Sequence, residues 1–183
     1  MRATRTVLVC GIPGVGKTTL IRSTLAHVPD AGFCEAQDLV MQANALDCPQ
    51  TFSGSVVHRV ARHYQLLARE FVARREQTPK RVMILESVAL IETESGWFEP
   101  PLHVLKSIDP QALVHVEDDC DRIAQRYLRD RSTVRLTRSA IELARCQDRS
   151  LRACERQAER LGCALHRLRA DACDELRHLI DSM

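Results

Sequence analysis

A glycine-rich segment, Gly11–Thr18, constrains the fold of this chain more than any other stretch. Its sequence, GIPGVGKT, fits the pattern G-x-x-x-x-G-K-[ST]. The preceding segment Thr4–Cys10 is apolar and β-branched, which predicts a buried strand, and a helical pattern runs from Lys17 to His27. Glycines let such a turn point successive N–H groups into one concavity, where the following helix N-terminus favours negative charge. The segment therefore predicts a strand–loop–helix unit that binds the phosphates of a nucleoside triphosphate.

Two side chains of this segment carry specific expectations. Lys17 is placed to reach the β- and γ-phosphates, and the Thr18 hydroxyl is placed to coordinate Mg²⁺. The alternative is a glycine-rich turn that contains a lysine by accident. It is disfavoured because an apolar strand runs straight in and a helix runs straight out, as this type of site requires.

The rest of the chain alternates strand and helix patterns, which predicts an α/β fold in which helices cover both faces of a parallel sheet. The length of 183 residues fits a single domain over residues 1–183. We expect loops at 47–55 and 93–101. Further strands are expected at Ala31–Glu35, Arg81–Glu86, Ala112–Val116 and Cys163–Leu168. Further helices are expected at Gln37–Leu46, Val56–Glu76, Asp118–Asp130, Thr137–Leu161 and Ala172–Ile180.

A triphosphate-binding loop of this kind also needs a carboxylate near its Mg²⁺ ion. In α/β folds, ligands bind at the carboxyl ends of the parallel strands. Glu86 ends the strand RVMILE, and Glu117 with Asp118 and Asp119 follows the strand ALVHV. We choose Glu86 as the catalytic and metal-binding residue because its strand is the more apolar. Asp118 and Asp119 fit better as N-caps of the next helix.

An arginine-rich segment follows the Ala112–Val116 strand. It supplies Arg122, Arg126, Arg129, Arg131, Arg135 and Arg138. Guanidinium groups suit phosphate oxygens, and the short connection between two helices suits a lid over residues 129–138. The alternative for any one arginine is a solvated helix face.

Composition argues against several other classes of protein. A net charge of +2 gives no argument for nucleic-acid binding. The sequence contains no membrane-length apolar run and no signal-peptide core at its start, so we expect a cytoplasmic protein. The eight cysteines lack metal-ligand spacing and are expected to be free thiols.

Taken in order, the landmarks resemble those of the archaeal-type adenylate kinases, a family that includes the eukaryotic nuclear adenylate kinases. GIPGVGKTT resembles the opening of that family. RVMILES with the later Gly96–Trp97 resembles its third strand and continuation, and ALVHVED with the arginines and RDR resembles its lid region. The resemblance covers nearly the whole chain.

The resemblance implies a P-loop NTPase fold with five parallel strands, a helical acceptor-binding insertion over 36–77 and a short lid. It implies Mg²⁺-dependent transfer of the ATP γ-phosphoryl to AMP or a related nucleoside monophosphate. It implies lid arginines at Arg126, Arg131 and Arg135, and adenine contacts at Arg169 and Ala170. Residues implied to hold ATP are Gly11, Gly14, Val15, Gly16, Lys17, Thr18 and Thr19.

The chain departs from the family at two places. Glu86-Ser87-Val88 replaces an Asp-Thr-His-like segment, and the insertion lacks a basic residue in CPQTFSGSV, where the family binds the acceptor phosphate. Candidate replacements on the next helix are Arg59, Arg62 and Arg69.

These departures leave three hypotheses open. The first is a nucleoside monophosphate kinase. The second is a kinase for another small acceptor with a hydroxyl group, with Glu86 as the general base. The third is an ATPase that acts as an assembly or switch factor. A homo-oligomer is possible, and Trp97 and Phe98 either line the acceptor pocket or anchor their loop.

Overall fold

The computed structural model describes residues 4–46, 56–93, 95–129 and 138–183. The strands are β1 (Arg5–Cys10), β2 (Ala31–Glu35), β3 (Val82–Glu86), β4 (Ile91–Thr93), β5 (Gly96–Phe98), β6 (Ala112–Glu117) and β7 (Ala164–Arg169). The helices are α1 (Lys17–Leu25), α2 (Ala36–Leu46), α3 (Val56–Gln77), α4 (Leu102–Ile108), α5 (Cys120–Arg129), α6 (Ala140–Leu161) and α7 (Cys173–Asp181).

Five strands form one parallel sheet in the order β2-β3-β1-β6-β7. This confirms the predicted α/β fold with a five-stranded parallel sheet and flanking helices. β1 lies at the centre and pairs with β3 on one side and β6 on the other. Because all five strands run in the same direction, their carboxyl ends share one edge of the sheet, and the glycine-rich segment leaves β1 at that edge.

Two apolar layers sandwich the sheet, and β1 contributes to both of them. Val7 and Val9 pack on the layer that contains α1, α5 and α7, whereas Leu8 and Cys10 pack on the layer that contains α2, α3, α4 and most of α6. Side chains alternate between the two faces of a strand, so a strand that is buried on both faces must be apolar throughout. This explains the continuous apolar run of β1.

The structure differs from the sequence predictions in three local features. The expected loop at 93–101 contains β5, which forms a small antiparallel hairpin with β4. Helix α5 begins at Cys120 and α6 at Ala140, both later than expected. The predicted loop at 47–55 and most of the predicted lid lie outside the described residues.

The predicted insertion over 36–77 consists, in its described part, of α2 and α3, which pack against each other. Within the described ranges, no helix combines the length and the apolar character that crossing a bilayer requires.

His115 is a buried histidine in β6 on the face covered by α6. Its Nε2 lies 3.2 Å from the Ser150 hydroxyl, and its Nδ1 has no hydrogen-bond partner among the described residues. Burial lowers the pKa of His115 from 6.5 to about 4, and the charge of Glu117 opposes this only in part. The folded protein therefore keeps this ring neutral.

We expect His115 to make the protein acid-labile. The unfolded chain binds a proton near pH 6.5 and the folded chain only near pH 4, so stability falls as the pH drops between these values. The free energy of unfolding should decrease by about 2 kcal/mol from this residue alone between pH 7 and pH 5. Urea unfolding at both pH values measures it.

His115→Asn should remove this part of the pH dependence, and His178→Asn, which replaces an exposed histidine, is the matched control. Equal pH dependence in the wild type and in His115→Asn would contradict the assignment.

Candidate active site

The loop between β1 and α1 approaches its neighbours so closely that glycine is required at two positions. A Cβ on Gly11 would lie 2.7 Å from the carbonyl oxygen of Val116, which is a steric clash. Gly16 has a φ of 110°, and a Cβ there would lie 3.1 Å from the Cβ of Ala170. The loop is therefore seated on the ends of β6 and β7, with its backbone in a conformation that other residues rarely adopt.

Lys17 is buried within this loop. Its ammonium group donates hydrogen bonds to the carbonyl oxygens of Gly11 and Ile12, both at 3.1 Å, and lies 3.9 Å from Glu86 Oε1. Lysine has three donors and a flexible stem, so these bonds can be exchanged for phosphate oxygens. The side chain is thus held beside the loop.

Thr18 and Glu86 meet as the sequence reasoning proposed for the metal site. The Thr18 hydroxyl lies 3.0 and 2.9 Å from the two carboxylate oxygens of Glu86. Burial raises the pKa of Glu86, whereas Lys17 and the Thr18 hydroxyl act in the opposite direction. The carboxylate sits at the end of β3, next to the loop at the end of β1.

This pair suits Mg²⁺. Magnesium takes one or two protein carboxylates together with substrate phosphates and water, so a hydroxyl and a carboxylate beside a phosphate-binding loop are sufficient protein ligands. In the described parts of the chain, no group of three or more histidine, cysteine or acidic side chains forms a metal site on its own.

Sequence reasoning missed a second carboxylate, Glu35. It ends β2 and stands opposite Glu86 in the strand register. Arg22 of α1 pairs with it, with 2.8 Å between Nη2 and Oε1. Glu35 ends a predicted strand as Glu86 does, so the rule that selected Glu86 could have found it.

The loop and both carboxylates line one open cavity of about 470 Å³, a volume within the range of small-molecule sites. Its described lining residues are Pro13, Gly14, Gly16, Lys17, Thr18, Thr19, Glu35, Ala36, Gln37, Glu86, Ser87, Val88 and Arg126. Val15 contributes no side chain, because its side chain is buried in the core.

Arg126 of α5 is fixed against the loop. Its Nη1 donates to the carbonyl oxygens of Val15 at 2.8 Å and of Gly14 at 3.3 Å. Its Nη2 lies 2.6 Å from Asp118 Oδ2. The same guanidinium reaches the cavity, so one arginine contacts the loop backbone, a buried carboxylate and the open site.

Asp118 differs from its predicted role as a helix cap. Its carboxylate is almost fully buried, with 3% of the side chain exposed, and it pairs with Arg126 and with Arg169 at 3.3 Å. The cap is Asp119, whose Oδ1 accepts hydrogen bonds from the backbone N–H groups of Asp121 and Arg122. A pattern of consecutive acids could not distinguish the two roles.

Arg169 and Ala170 follow β7 beside this cluster. Ala170 lies against Gly16 and lines a second cavity of about 330 Å³. This cavity is also lined by Thr19, Leu20, Ser23, Asp118, Arg122, Arg126, Asp171 and Cys173. The adenine contact of these two residues stays a prediction.

Several predicted residues do not join the described site. Arg131 and Arg135 lie outside the described residues, as does the side chain of Arg59. Arg62 and Arg69 are exposed on α3, where Arg69 pairs with Glu70, and neither lines the cavity at the loop.

Comparison with solved structures supports the fold. The tunicamycin resistance protein of Deinococcus radiodurans matches at 13% identity, with 98% of this chain and 94% of that chain covered and a TM-score of 0.61. A sugar kinase from Janibacter matches at 17% identity, with 98% and 93% covered and a TM-score of 0.54. Shikimate kinase from Bacteroides thetaiotaomicron matches at 15% identity, with 97% and 98% covered and a TM-score of 0.53. At these identities the likeness establishes the fold alone.

The sequence also matches a family model, which is described as AAA domain (AAA_17). The match spans residues 10–144 and includes the glycine-rich loop, both carboxylates and α5. The narrower resemblance to archaeal-type adenylate kinases stays a prediction. Because the match covers well over half of the chain, the protein belongs to the AAA domain family and has a P-loop kinase-like fold.

Proposed function

We propose that the protein transfers the γ-phosphoryl group of ATP to a hydroxyl group of a small acceptor molecule. The observation that carries this proposal is the single cavity in which the P-loop meets two carboxylates, Glu35 and Glu86, on adjacent strands. In this proposal the P-loop binds the nucleotide, one carboxylate binds the metal and the other contacts the acceptor.

On the nucleotide side, the loop N–H groups and Lys17 are suited to the β- and γ-phosphates. Lys17 would leave the carbonyl oxygens of Gly11 and Ile12 when phosphate oxygens arrive. Arg126 is already held at the rim by Asp118 and brings a second positive charge to the γ-phosphoryl. Positioned cations stabilise the charge that spreads over the transferred group.

Thr18 and Glu86 would hold Mg²⁺, which when bound neutralises charge on the phosphate oxygens. Glu35 then remains as the carboxylate on the acceptor side. In the transfer, the acceptor oxygen forms a bond to the γ-phosphorus, the bond from that phosphorus to the β–γ bridging oxygen breaks, and ADP leaves. Glu35 takes the proton that the hydroxyl loses.

The charge of the cavity favours a hydroxyl over a phosphate as acceptor. Among the described lining residues, Lys17 and Arg126 are the only cations, and the proposal assigns both to the nucleotide. A monophosphate acceptor brings further negative charge and would meet Glu35 and Glu86 rather than an arginine clamp. A neutral hydroxyl benefits from a nearby carboxylate.

A nucleoside monophosphate such as AMP is the second candidate. The ordered resemblance of the landmarks to archaeal-type adenylate kinases supports it, together with Arg131 and Arg135 in the predicted lid. An ATPase that depends on a macromolecular partner is the third.

A phosphoryl-transfer assay with a panel of acceptors tests the proposal. The panel contains sugars, hydroxy acids and nucleosides. We expect ATP and Mg²⁺ to give a phosphorylated product with acceptors of one of these three classes. AMP, CMP, GMP and UMP should give none. Lys17→Ala should lower kcat/KM by about 10²-fold or more, because it removes the positive charge of the lysine that stabilises the transferred phosphoryl group.

Lys106→Ala, at an exposed lysine of α4, is the matched control and should retain full activity. Transfer to monophosphates alone would replace the proposal with the adenylate kinase hypothesis. Turnover that requires a macromolecule would replace it with the switch hypothesis.

The two carboxylates should differ in their kinetic signatures. Glu86→Gln should raise the Mg²⁺ concentration needed for half-maximal rate about tenfold or more, because the amide loses the metal-binding charge. Glu35→Gln should lower kcat by about 10²-fold with the Mg²⁺ dependence unchanged, because it removes the proton acceptor.

Initial rates over a Mg²⁺ titration separate these effects, and Glu155→Gln on the exposed face of α6 is the control. If both variants shift the Mg²⁺ dependence equally, the division of roles between Glu35 and Glu86 is wrong.

A further inference from the structure

A separate cavity of about 420 Å³ lies between the β4–β5 hairpin and the first half of α6. Among the described residues, it shares no lining residue with the P-loop cavity. Its lining consists of Glu92, Trp97, Arg138, Glu142, Arg145, Cys146 and Arg149. Three arginines, two glutamates and one aromatic ring thus face a volume large enough for a small molecule.

Both carboxylates of this cavity are already engaged. Glu92 pairs with Arg138, which also donates to Cys146 Sγ and so ties the hairpin to α6. Glu142 closes the capping box at the start of α6, where it accepts hydrogen bonds from the backbone N–H and the hydroxyl of Ser139. Of the remaining arginines, Arg145 interacts electrostatically with Glu142, so two acids face three arginines in this lining.

Arg145 and Arg149 are those remaining arginines. Neither forms an ion pair with a carboxylate in the part of the chain that the structure describes. They stand one helical turn apart on the same face of α6, a spacing at which like charges repel. Arg152, the next arginine along the helix, pairs with Asp148 instead. The described lining, with three arginines and two glutamates, therefore carries one net positive charge.

Trp97 lies against one of these two arginines and limits the directions from which a ligand can reach it. The guanidinium of Arg149 lies 5.6 Å from the centroid of the Trp97 ring. The ring covers one face of the guanidinium. The N–H groups lie in the plane of the guanidinium itself and remain available to an acceptor. A half-buried aromatic ring against the guanidinium of Arg149, with Arg145 one helical turn away, is an arrangement suited to an anion.

We propose that this cavity is a second ligand site, at which Arg145 and Arg149 bind the carboxylate or phosphate group of a small molecule. An anion between the two guanidinium groups would relieve their repulsion and form paired charge-assisted hydrogen bonds. The site goes beyond the proposed phosphotransfer, since it involves neither the P-loop nor ATP. Trp97, for which the sequence left open a role in the acceptor pocket or in anchoring its loop, forms part of the wall of this second cavity.

Trp97 is the only tryptophan of the chain, so its fluorescence reports on this site directly. The experiment titrates the 183-residue chain with inorganic phosphate and, separately, with malonate at constant ionic strength. A Lys17→Ala background removes phosphate binding at the P-loop. We expect a saturable change in emission with at least one anion, and the more effective anion identifies the ligand group as phosphate or carboxylate.

Arg145→Gln should raise the apparent dissociation constant about tenfold or more without touching the ring, because it removes a charged donor. Arg149→Gln should do the same by calorimetry, which is insensitive to the direct effect of this variant on Trp97. Arg152→Gln is the matched control and should bind normally.

The proposal is overturned if neither anion gives saturable binding or if Arg145→Gln binds as the wild type does. It is also overturned if the response disappears in Lys17→Ala, since the signal then comes from the P-loop. All readouts are independent of turnover, so a failure of the proposed transferase activity leaves this test intact.

Discussion

The parallel pairing of β1 with β3 and β6 is the constraint on which the rest of the site depends. In this register Val9 stands opposite both Glu86 and Val114, and the Ser87 N–H donates to the Val9 carbonyl at 2.9 Å. The P-loop therefore leaves the sheet at the level where β3 presents Glu86. A shift of one residue would turn Glu86 to the other face and separate it from Thr18.

An ion pair with a buried carboxylate supports the other side of the loop. Asp118 follows β6, and Arg126 connects its carboxylate to the carbonyl oxygens of the P-loop. Removing Arg126 would leave the buried Asp118 carboxylate without its nearest counter-charge, so this pair stabilises the position of the loop. The same ion pair places Arg126, one of the three lid arginines that the resemblance implies, at the rim of the cavity.

Local pattern and motif predicted the parallel sheet, the P-loop and the pair formed by Thr18 and Glu86. These features depend on short-range signals, namely β-branched apolar runs, glycines at fixed spacing and an acid at the end of a strand. The position of β2 beside β3 leaves no such signal, because strand order is decided by long-range packing. Glu35 ends a predicted strand, which is a usable signal, but its place opposite Glu86 depends on this strand order.

The hairpin and the buried aspartate escaped prediction for related reasons. Strands β4 and β5 have three residues each, too few to show a period of two. Asp118 and Asp119 are adjacent and chemically identical, and only the arginines that converge on Asp118 from α5 and β7 separate their roles. The lid arginines Arg131 and Arg135 stay predictions from sequence.

The central claim is that the P-loop binds ATP through Lys17 together with the metal-binding pair at Thr18 and Glu86. Calorimetric titration of the wild type and of Lys17→Ala with ATP, with and without Mg²⁺, tests it most directly. The account predicts saturable binding by the wild type, strengthened by Mg²⁺, and affinity at least about tenfold weaker in Lys17→Ala. Equal affinity of the two proteins for ATP, or no binding by the wild type, would contradict it.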